Sequence, residues 1–588
     1  MNKRINTGLK NFISKIVQYR LILAVMYFLL ITIFMTLPLI FRFTDSAAGG
    51  YGDGVYFIWL IRWYQRVIFE GQGVPFFNPM MNYPEGWNLS TTDTTLASAL
   101  PGVPFSILLG PTAGYNLAMA ITFVLSGLFM YIWVVHLTGS KGAGLIAGTI
   151  YAFLPFRMAH FLAGHLNLSG TAWFPLFFMG FFEILQHPTR KRWWPPILTA
   201  VSLGLIALTS MYYLYFTLLM AVVIFFGYLI LVSWRLLFQK SFWIQSLVTT
   251  LASSPFLYIA LKPFLKLSQS GGIADRSIEY ANLYSASPTD FFIFSSDHFL
   301  FGKWISSIFD RSLWIESSLY IGAITLVLIL FYLIRRHKTE HQALTRIALL
   351  VMVTAFILAL GPSLHWNNRQ VILQVPGWLQ SISGLRETII PLPTWFLFDH
   401  LPFHTKMRAV MRIGFFALIF SSMLAGLGAV KFLQNFSVIK KRWLTILILG
   451  LVIFDFYPGS FAANIEKIEA RPVDYWLAEQ PGSGAVVQMP FEESVSQDQI
   501  YYTLTHKKPI TGGFFNANQP PQYLYLQPIL ARFPDEKSIT TLKEFRVQYV
   551  LVNPLHYQDF VSIERTMLNL GLKKLITLDG IFVYELDN

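Results

Sequence analysis

The chain alternates between long apolar runs and loops that collect most of its polar residues. Eleven runs stand out, at approximately 21–41, 115–137, 142–156, 171–186, 196–210, 213–233, 241–262, 317–334, 345–361, 411–432 and 442–458. A helix needs about 20 mostly apolar residues to cross a bilayer, and the longer runs reach that length. The pattern predicts a polytopic α-helical membrane protein with about eleven transmembrane helices.

The composition fits the same class. Of the 588 residues, 54% are hydrophobic and 13% are charged, whereas soluble domains carry about 25% charged residues. The absence of cysteine excludes disulfide bonds, thiolate metal sites and cysteine nucleophiles. The net charge is +13, but Lys and Arg fall in short clusters between the apolar runs. We therefore interpret the clusters as signals of membrane orientation, and expect no nucleic-acid partner.

Lys and Arg concentrate in alternate loops, which predicts the orientation of the chain. One side receives the N-terminus with Lys3 to Arg20, Lys141, and the clusters at 190–192, 235–240, 335–346 and 431–442. The other side receives the loops 42–114, 157–170, 263–316 and 362–410. Because cytoplasmic loops hold the excess of basic residues, we expect a multi-pass protein of the cytoplasmic (inner) membrane with its N-terminus in the cytoplasm. The first run exceeds a signal-peptide core of about 7–15 residues, so we expect it to stay uncleaved.

Composition changes at Tyr457-Pro458-Gly459, where the last apolar run ends. Beyond it, residues 473–480 suit a helix and 484–490 a strand, and the same order recurs at 539–547 and 548–553. The end of the chain predicts a hairpin that turns at Asp579-Gly580. The sequence thus predicts a transmembrane domain, 1–458, followed by an extracytoplasmic α/β domain, 459–588.

The apolar runs contain almost no ionisable residue at mid-depth. Glu183 and Asp455 lie near the ends of their runs. Ion-coupled transporters usually need charged groups near the bilayer midplane, so this pattern disfavours a secondary transporter. It leaves open a flippase that moves only a lipid-linked substrate.

Asp53 lies in the Gly-rich turn 49–54 at the head of the first outer loop. Residues 55–70 predict an amphipathic helix in the membrane interface, with Arg62, Arg66 and Glu70 along one face. A carboxylate there could take the proton from an acceptor hydroxyl during glycosyl transfer from a lipid-phosphate donor. The alternative is that Asp53 caps the helix.

Asp93 lies later in the same outer loop, in the polar stretch Ser90-Thr-Thr-Asp-Thr-Thr. It is a candidate substrate-binding residue, either as a second carboxylate of the site or as a ligand for a divalent cation. Ser, Thr and Asp before an apolar run are also common helix-start signals, and that interpretation is the stronger one here.

The second outer loop contributes Arg157, His160, His165 and Asn167. The two histidines are five residues apart, so an ideal helix would not stack them as an i, i+4 metal pair. Together the four side chains could instead bind a phosphate or pyrophosphate by charge and hydrogen bonds. The alternative is a set of polar anchors at the membrane interface.

Three further arginines are candidates for substrate binding. Arg276 lies in the loop 263–316, and Arg408 and Arg412 lie four residues apart at the outer end of the run 411–432. Guanidinium groups suit a lipid phosphate. Arginines at a membrane boundary also extend to the surface without any ligand.

The layout of loops and spans resembles the GT-C superfamily of membrane glycosyltransferases. The stretches Ala159-His-Phe-Leu-Ala-Gly-His-Leu-Asn167, Tyr284-Ser-Ala-Ser-Pro288, Ile357-Leu-Ala-Leu-Gly-Pro362 and 401–412, with His506-Lys-Lys-Pro-Ile510 in the tail, are similar to bacterial YfhO-like membrane proteins. The resemblance implies a transferase that uses a polyprenyl-phosphate-linked sugar, with the acidic residue of the first outer loop as base. Asp53 matches that position. The chain lacks the Trp-Trp-Asp motif of oligosaccharyltransferases and the acidic pair often found in the second outer loop.

We therefore expect a membrane glycosyltransferase that acts at the outer face of the cytoplasmic membrane. Its partners would be the lipid bilayer, a polyprenyl-phosphate-linked sugar, and a lipid, glycan or cell-surface polymer as acceptor. Two other hypotheses stay open: a flippase or export component for lipid-linked glycans, and a non-catalytic scaffold for cell-envelope assembly.

Overall fold

The computed structural model describes residues 21–587 except 90–92, 191, 270–272, 274, 337–340, 460–463, 493–495 and 515–518. Helices dominate up to residue 456. Those of ten residues or more in that part are Leu21–Met35, Asp53–Phe69, Leu96–Leu109, Pro111–Thr138, Lys141–Ala152, Trp173–Gln186, Trp194–Ala207, Met211–Leu231, Lys240–Gln269, Ala323–Arg335, Gln342–Ala359, Phe415–Leu433 and Val438–Phe456. Shorter helices include Pro155–Leu162, Leu166–Ser169 and Trp314–Ser317.

Each of the eleven predicted apolar runs coincides with a helix, but the described residues give a smaller number of clear membrane spans. Six helices are long and apolar enough to cross a membrane, or up to seven if the bent pair Lys141–Ala152 and Pro155–Leu162 is one span. The helices over the remaining runs are shorter or more polar. The predicted number of eleven is therefore not confirmed. The basic residues Lys3 to Arg20, Lys191 and Lys338, used to predict orientation, lie outside the described residues.

The helix over residues 415–433 forms the centre of the bundle. Almost all of its side chains are buried, and it packs against Lys141–Ala152, Ala323–Arg335 and Gln342–Ala359. Small residues make this close packing possible: a Cβ on Gly428 would lie 2.1 Å from the carbonyl oxygen of Leu328. Van der Waals contact between closely spaced backbones is a main source of helix association in membranes.

The helix Asp53–Phe69 is buried, which corrects the prediction that it lies in the membrane interface. Every residue from Gly54 to Ile61 is buried. The physical reason is that these residues are apolar on all sides of the helix. A helix with no polar face is stable when other parts of the protein cover it completely. Only its end near Ile68 and Glu70 is exposed.

Residues 465–587 contain a four-stranded mixed sheet with helices around it. Its strand order is Leu572–Leu578, Ile581–Leu586, Val547–Val552 and Ala485–Met489, with only the last two paired in parallel. The hairpin predicted at Asp579-Gly580 is present. The helices of this region are Pro472–Glu479, Ser496–His506, Pro521–Leu530, Glu536–Glu544 and Phe560–Asn569.

The first outer loop is joined to this C-terminal region by backbone pairing. The strand Ser46–Ala48 pairs antiparallel with Ile465–Lys467, and the amide of Tyr83 donates to the carbonyl of Ile510 at 2.9 Å. The indole of Trp59 also donates to Thr503 Oγ1 at 3.2 Å. These contacts position the loop that carries Asp53 between the helical bundle and the C-terminal region. Further two-stranded pairings are Phe77–Asn78 with Trp87–Asn88, His365–Trp366 with Arg369–Gln370, and Ile372–Gln374 with Glu387–Ile389.

Trp59→Ala should weaken this junction. Trp59 is 3% exposed, and removing a buried tryptophan costs about 3–5 kcal/mol of unfolding free energy through the cavity that it leaves. We expect a lower thermal midpoint and faster proteolysis between residues 464 and 587, measured on protein in detergent. Trp378→Ala is the matched control, because Trp378 is 71% exposed. Equal proteolysis of both variants would contradict this account of the junction.

Candidate active site

Glycines allow the Asp53 turn and the His165 turn to touch. A Cβ on Gly49 would lie 2.4 Å from the amide nitrogen of Gly164, and a Cβ on Gly164 would lie 2.7 Å from that of Gly54. Gly49 and Gly164 also have φ of +80° and +76°, which disfavours other residues. The first and second outer loops therefore meet backbone to backbone, directly beside Asp53.

This contact brings Asp53 to within 3.0 Å of His165, measured from Oδ2 to Nε2. Asp53 is the first residue of its helix and makes no capping hydrogen bond; the N-cap is Gly52. The capping interpretation is therefore wrong for the carboxylate. The Asp53 side chain is 32% exposed. One carboxylate oxygen, Oδ2, therefore lies against His165, while the side chain remains partly accessible to solvent.

Behind His165 lies a row of buried polar side chains. His165 Nδ1 and His160 Nδ1 are 2.8 Å apart, because the helix ends at Leu162 and the chain turns back at Gly164. His160 Nε2 lies 4.0 Å from Glu316 Oε2. Glu316 in turn accepts two hydrogen bonds from Arg412, one of them 2.9 Å from Nε to Oε2.

Glu316 and Arg412 form a buried ion pair. Their side chains are 10% and 9% exposed. Burial raises the pKa of Glu316, but the charge and hydrogen bonds of Arg412 outweigh it and lower that pKa to about 2. Glu316 is thus ionised throughout the physiological range.

Asp93 and Asn167 extend the cluster on its other side. Asn167 Nδ2 donates to Asp93 Oδ2 at 2.8 Å, and the amide of Met211 donates to Oδ1 at 2.8 Å. Asp93 therefore interacts with the start of the helix Met211–Leu231, far along the chain. Burial raises its pKa above the usual range. With both oxygens engaged, Asp93 is better placed to hold loops together than to ligate a cation.

Arg408 and Arg276 lie along a row of tyrosines. Arg408 Nη2 donates to the hydroxyl of Tyr284 at 3.0 Å, and its amide donates to the hydroxyl of Tyr212 at 3.0 Å. The guanidinium of Arg276 lies 5.0 Å from the ring centroid of Tyr280, whose ring is 5.4 Å from that of Tyr284. Tyr212 also faces Arg412, at 4.9 Å, which links this row to the ion pair.

Arg157 does not join the site, which corrects its assignment to phosphate binding. It is fully buried and donates to the carbonyls of Ala152 and Ser169 and to Thr122. Its guanidinium lies 4.3 Å from the ring of Phe123. A side chain committed to backbone carbonyls inside the bundle stabilises the break between two helices and cannot reach a ligand at the surface.

The other predicted residues come together, and the structure adds three that were not among the candidates: Glu316, Tyr212 and Tyr284. The sequence could have indicated Glu316, because a carboxylate flanked by apolar residues at the start of a membrane span usually has a charged or hydrogen-bonding partner. Within the described residues, no group of three or more His, Asp or Glu side chains is placed to hold a metal ion. The arrangement offers a partly exposed carboxylate, a histidine nitrogen 3.0 Å from it, and guanidinium groups nearby. Such groups can accept a proton and bind an anion.

Breaking the ion pair should destabilise the protein strongly. Glu316→Gln leaves the Arg412 charge buried without a partner, which costs about 3–5 kcal/mol of unfolding free energy. The double variant Glu316→Gln/Arg412→Met should recover part of that loss. Since the pKa of Glu316 is lowered from 4.5 to about 2, the pair contributes fully above about pH 4.5, and its contribution is lost as the pH falls towards 2.

Chemical unfolding in mixed micelles between pH 3 and 7 measures both effects. Glu544→Gln, at an exposed position, is the control and should change the free energy by less than about 0.5 kcal/mol. A Glu316→Gln protein as stable as the wild type would contradict the pairing.

A family model described as "Domain of unknown function (DUF6311)" matches residues 69–386. The matched segment includes His160, His165 and Glu316, while Asp53 and Arg412 lie outside it. No curated protein matches the sequence.

Two solved structures show the same fold at low sequence identity. One is the arabinofuranosyltransferase AftD from Mycobacteria, with 13% identity and a TM-score of 0.57 over 97% of this chain and 40% of that one. The other is an oligosaccharyltransferase of Archaeoglobus fulgidus tethered with an acceptor peptide, with 12% identity and a TM-score of 0.53 over 97% of this chain and 74% of that one. This chain thus spans less than half of the AftD chain. The likeness supports the GT-C fold expected from the sequence, whereas the YfhO-like resemblance stays a prediction.

Proposed function

The chain belongs to the DUF6311 family, and we propose that it is a membrane glycosyltransferase that moves a sugar from a polyprenyl-phosphate-linked donor to a lipid, glycan or cell-surface polymer. Asp53 acts as the general base. The observation that carries the proposal is the Asp53–His165 contact, which holds a partly exposed carboxylate at one end of an apolar bundle. The fold shared with an arabinofuranosyltransferase and an oligosaccharyltransferase supports the class of reaction.

In the proposed reaction, the acceptor hydroxyl attacks the anomeric carbon of the donor sugar. The bond between that carbon and the phosphate oxygen breaks, and the polyprenyl phosphate leaves with the electron pair. Asp53 accepts the hydroxyl proton as the new bond forms. A positioned carboxylate of this kind contributes about 10²–10⁴-fold to the rate.

Arg408 is the side chain best suited to the donor phosphate. Its guanidinium is bonded to a tyrosine hydroxyl, and no carboxylate of the described residues lies within 4.0 Å of it. The Arg412 charge, by contrast, is already balanced by Glu316. We therefore assign phosphate binding to Arg408, with Arg276 at the far end of the tyrosine row, and a structural role to Arg412.

The acceptor would enter beside the C-terminal region. Tyr51, two residues before Asp53, is 38% exposed, and Tyr475 is 58% exposed. Both lie near the half-buried Tyr501. Burial, and to a smaller extent the neighbouring hydroxyls of Tyr51 and Tyr475, raise the pKa of Tyr501 to about 12. The hydroxyl of Tyr51 is held by the carbonyl of Glu469 at 2.9 Å. Amphipathic aromatic rings of this kind can pack against a sugar face and still hydrogen-bond its hydroxyls.

The orientation of the protein is part of the proposal. The four long loops predicted to share the outer side approach one another, through Asp53 with His165, His160 with Glu316, and Arg276 with Thr405. We propose that this end faces away from the cytoplasm, that the C-terminal region lies there too, and that the shorter apolar helices complete a set of about eleven spans. The basic clusters on the opposite side support that orientation.

Asp53→Asn should reduce glycosyl transfer by at least about 100-fold, because the amide cannot accept the proton. The measurement is transfer from synthetic, labelled polyprenyl-phosphate sugars by protein in nanodiscs, with the acceptor identified by lipid and glycan profiling of a deletion strain. Asp45→Asn is the matched control: it lies in the same loop, is exposed and bonds only its neighbour Ser46 among side chains. Near-normal transfer by Asp53→Asn would exclude the general-base role. Exposure of lipid-linked sugar without new glycosidic bonds would favour a flippase.

Arg408→Gln should raise the KM for the donor by about 10–100-fold while kcat falls less. The reason is that a hydrogen bond to a charged group is worth about 1.5–3 kcal/mol. Initial rates at varied donor concentration give both constants. Arg386→Gln, at an exposed position in the same loop, should leave them unchanged. A loss confined to kcat would contradict phosphate binding by Arg408.

A further inference from the structure

The loop 362–410 carries a short hairpin. Its strands, Ile372–Gln374 and Glu387–Ile389, pair antiparallel, and the helix Gly377–Ser383 lies between them. Gly384 ends that helix with a φ of +70°, a conformation that favours glycine. We call residues 372–389 the apolar hairpin, because the sequence from 371 to 385 contains no charged residue.

The apolar hairpin exposes large side chains. Trp378 and Ile382, which share one face of the helix by their i, i+4 spacing, are 71% and 77% exposed. Ile372 and Leu373 are exposed as well, and consecutive residues of a strand point to opposite faces. Contiguous exposed apolar surface marks an interaction site. Because apolar side chains are exposed on both faces, the partner has to surround the hairpin rather than cover one side of it.

The base of the hairpin is fixed to the end of the bundle that carries Asp53. Ser363 Oγ donates to Asn282 Oδ1 at 2.9 Å. The apolar helices on either side of the loop end at Ala359 and begin at Val410. The hairpin therefore leaves the bundle at the level where these helices end.

A second apolar element lies beside this base. The amide of Asp310 donates to Asn367 Oδ1 at 2.7 Å, and Asn368 Nδ2 donates to the carbonyl of Asp310 at 2.9 Å. Asp310 follows the helix Gly302–Ile308, whose Trp304 side chain is exposed. Hydrogen bonds thus tie the base of the hairpin to the end of this helix.

The helix Gly302–Ile308 continues the apolar surface of the bundle. Just before it, the amide of Phe299 donates to the carbonyl of Tyr457 at 3.2 Å. The ring centroid of Phe299 lies 5.4 Å from that of Phe454, and both side chains are exposed. Phe454 belongs to the helix Val438–Phe456, which has an exposed apolar face. Exposed apolar side chains therefore extend from the side of the bundle to the base of the hairpin.

We propose that the apolar hairpin is a membrane anchor, which inserts the helix Gly377–Ser383 into the lipid leaflet at this end of the bundle. Continuity with the apolar surface of the bundle identifies the partner as lipid, and a fluid leaflet surrounds both faces of the hairpin. Trp is typical of the membrane interface, and interfacial apolar segments lie about 5–10 Å deep. The pair Gln374–Glu387, with a contact of 2.7 Å, lies at the level of the lipid headgroups.

The anchor lies next to the proposed donor site. Asn282, which accepts the hydrogen bond from the base of the hairpin, belongs to the helix Ile278–Leu283 that also carries Tyr280. The anchor would thus hold the loop that contains Arg408 against the leaflet that contains the donor. This consequence rests on the proposed function, whereas the insertion itself depends only on the position and polarity of the hairpin.

Spin labels on the full-length protein in nanodiscs test the insertion. The chain has no cysteine, so Ile382→Cys and Trp378→Cys each carry a single label at a chosen position. Oxygen concentrates in lipid, whereas a water-soluble nickel complex stays outside it. We expect the ratio of oxygen to nickel collisions at both positions to be several-fold higher than at Asp399→Cys, an exposed position of the same loop outside the hairpin.

Two reference positions calibrate the ratio. Leu251→Cys is the lipid reference, because Leu251 is exposed on the long apolar helix Lys240–Gln269, and Glu544→Cys is the aqueous reference. A ratio at both hairpin positions equal to the aqueous reference would overturn the proposal. Low collision rates with both reagents would mean that a second copy of the chain covers the hairpin, and would overturn it too. Wild-type thermal midpoints in detergent, expected for substitutions at exposed positions, show that the variants are folded.

The anchor and the proposed function fail separately, because collision rates are measured without turnover. If the hairpin lies in water while Asp53→Asn abolishes transfer, only the anchor is wrong. If the hairpin lies in lipid but Asp53→Asn still transfers sugar, the anchor stands and the general-base function is wrong.

Discussion

The buried ion pair between Glu316 and Arg412 is the interaction on which the rest of the site depends. It joins the turn before one apolar helix to the start of the central helix of the bundle. Two charges in such a place are costly unless each satisfies the other. Once paired, they place the Glu316 carboxylate 4.0 Å from His160, whose other ring nitrogen is hydrogen-bonded to His165. The buried pair and the partly exposed Asp53 thus lie at the two ends of one row of polar side chains.

The site also requires the backbones of the first and second outer loops to come close together beside Asp53. Gly49, Gly54 and Gly164 let two loops meet without side chains between them, and the pairing of Ser46–Ala48 with Ile465–Lys467 holds the first of these loops from the other side. Asp53 is therefore fixed by contacts with the bundle and with the C-terminal region together. In the proposed reaction, a site assembled from both parts would bring a membrane-embedded donor and an acceptor from outside the bilayer to one carboxylate.

The candidate residues illustrate where sequence reasoning succeeds and where it fails. Asp53, His165 and Arg412 were identified because polar groups at the ends of apolar runs are unusual and lie on one predicted side. Arg157 satisfied the same criterion, yet its guanidinium is turned inward to carbonyls left free at a helix break. The position of an arginine at the end of a helix does not indicate which way its side chain points. Glu316 was passed over because its partner lies 96 residues away.

Hydrophobicity is a local property of the chain, so the sequence by itself determined the helical membrane class, the places of the apolar helices and the hairpin at Asp579-Gly580. It also predicted the helix after Asp53, but not that this helix is buried, since burial depends on which surfaces cover it. Only the tertiary structure decided the site: the contacts of Asp53 with His165 and of Glu316 with Arg412 join distant segments. Such contacts exist because whole helices and loops pack together, and the spacing of residues along the chain does not specify them.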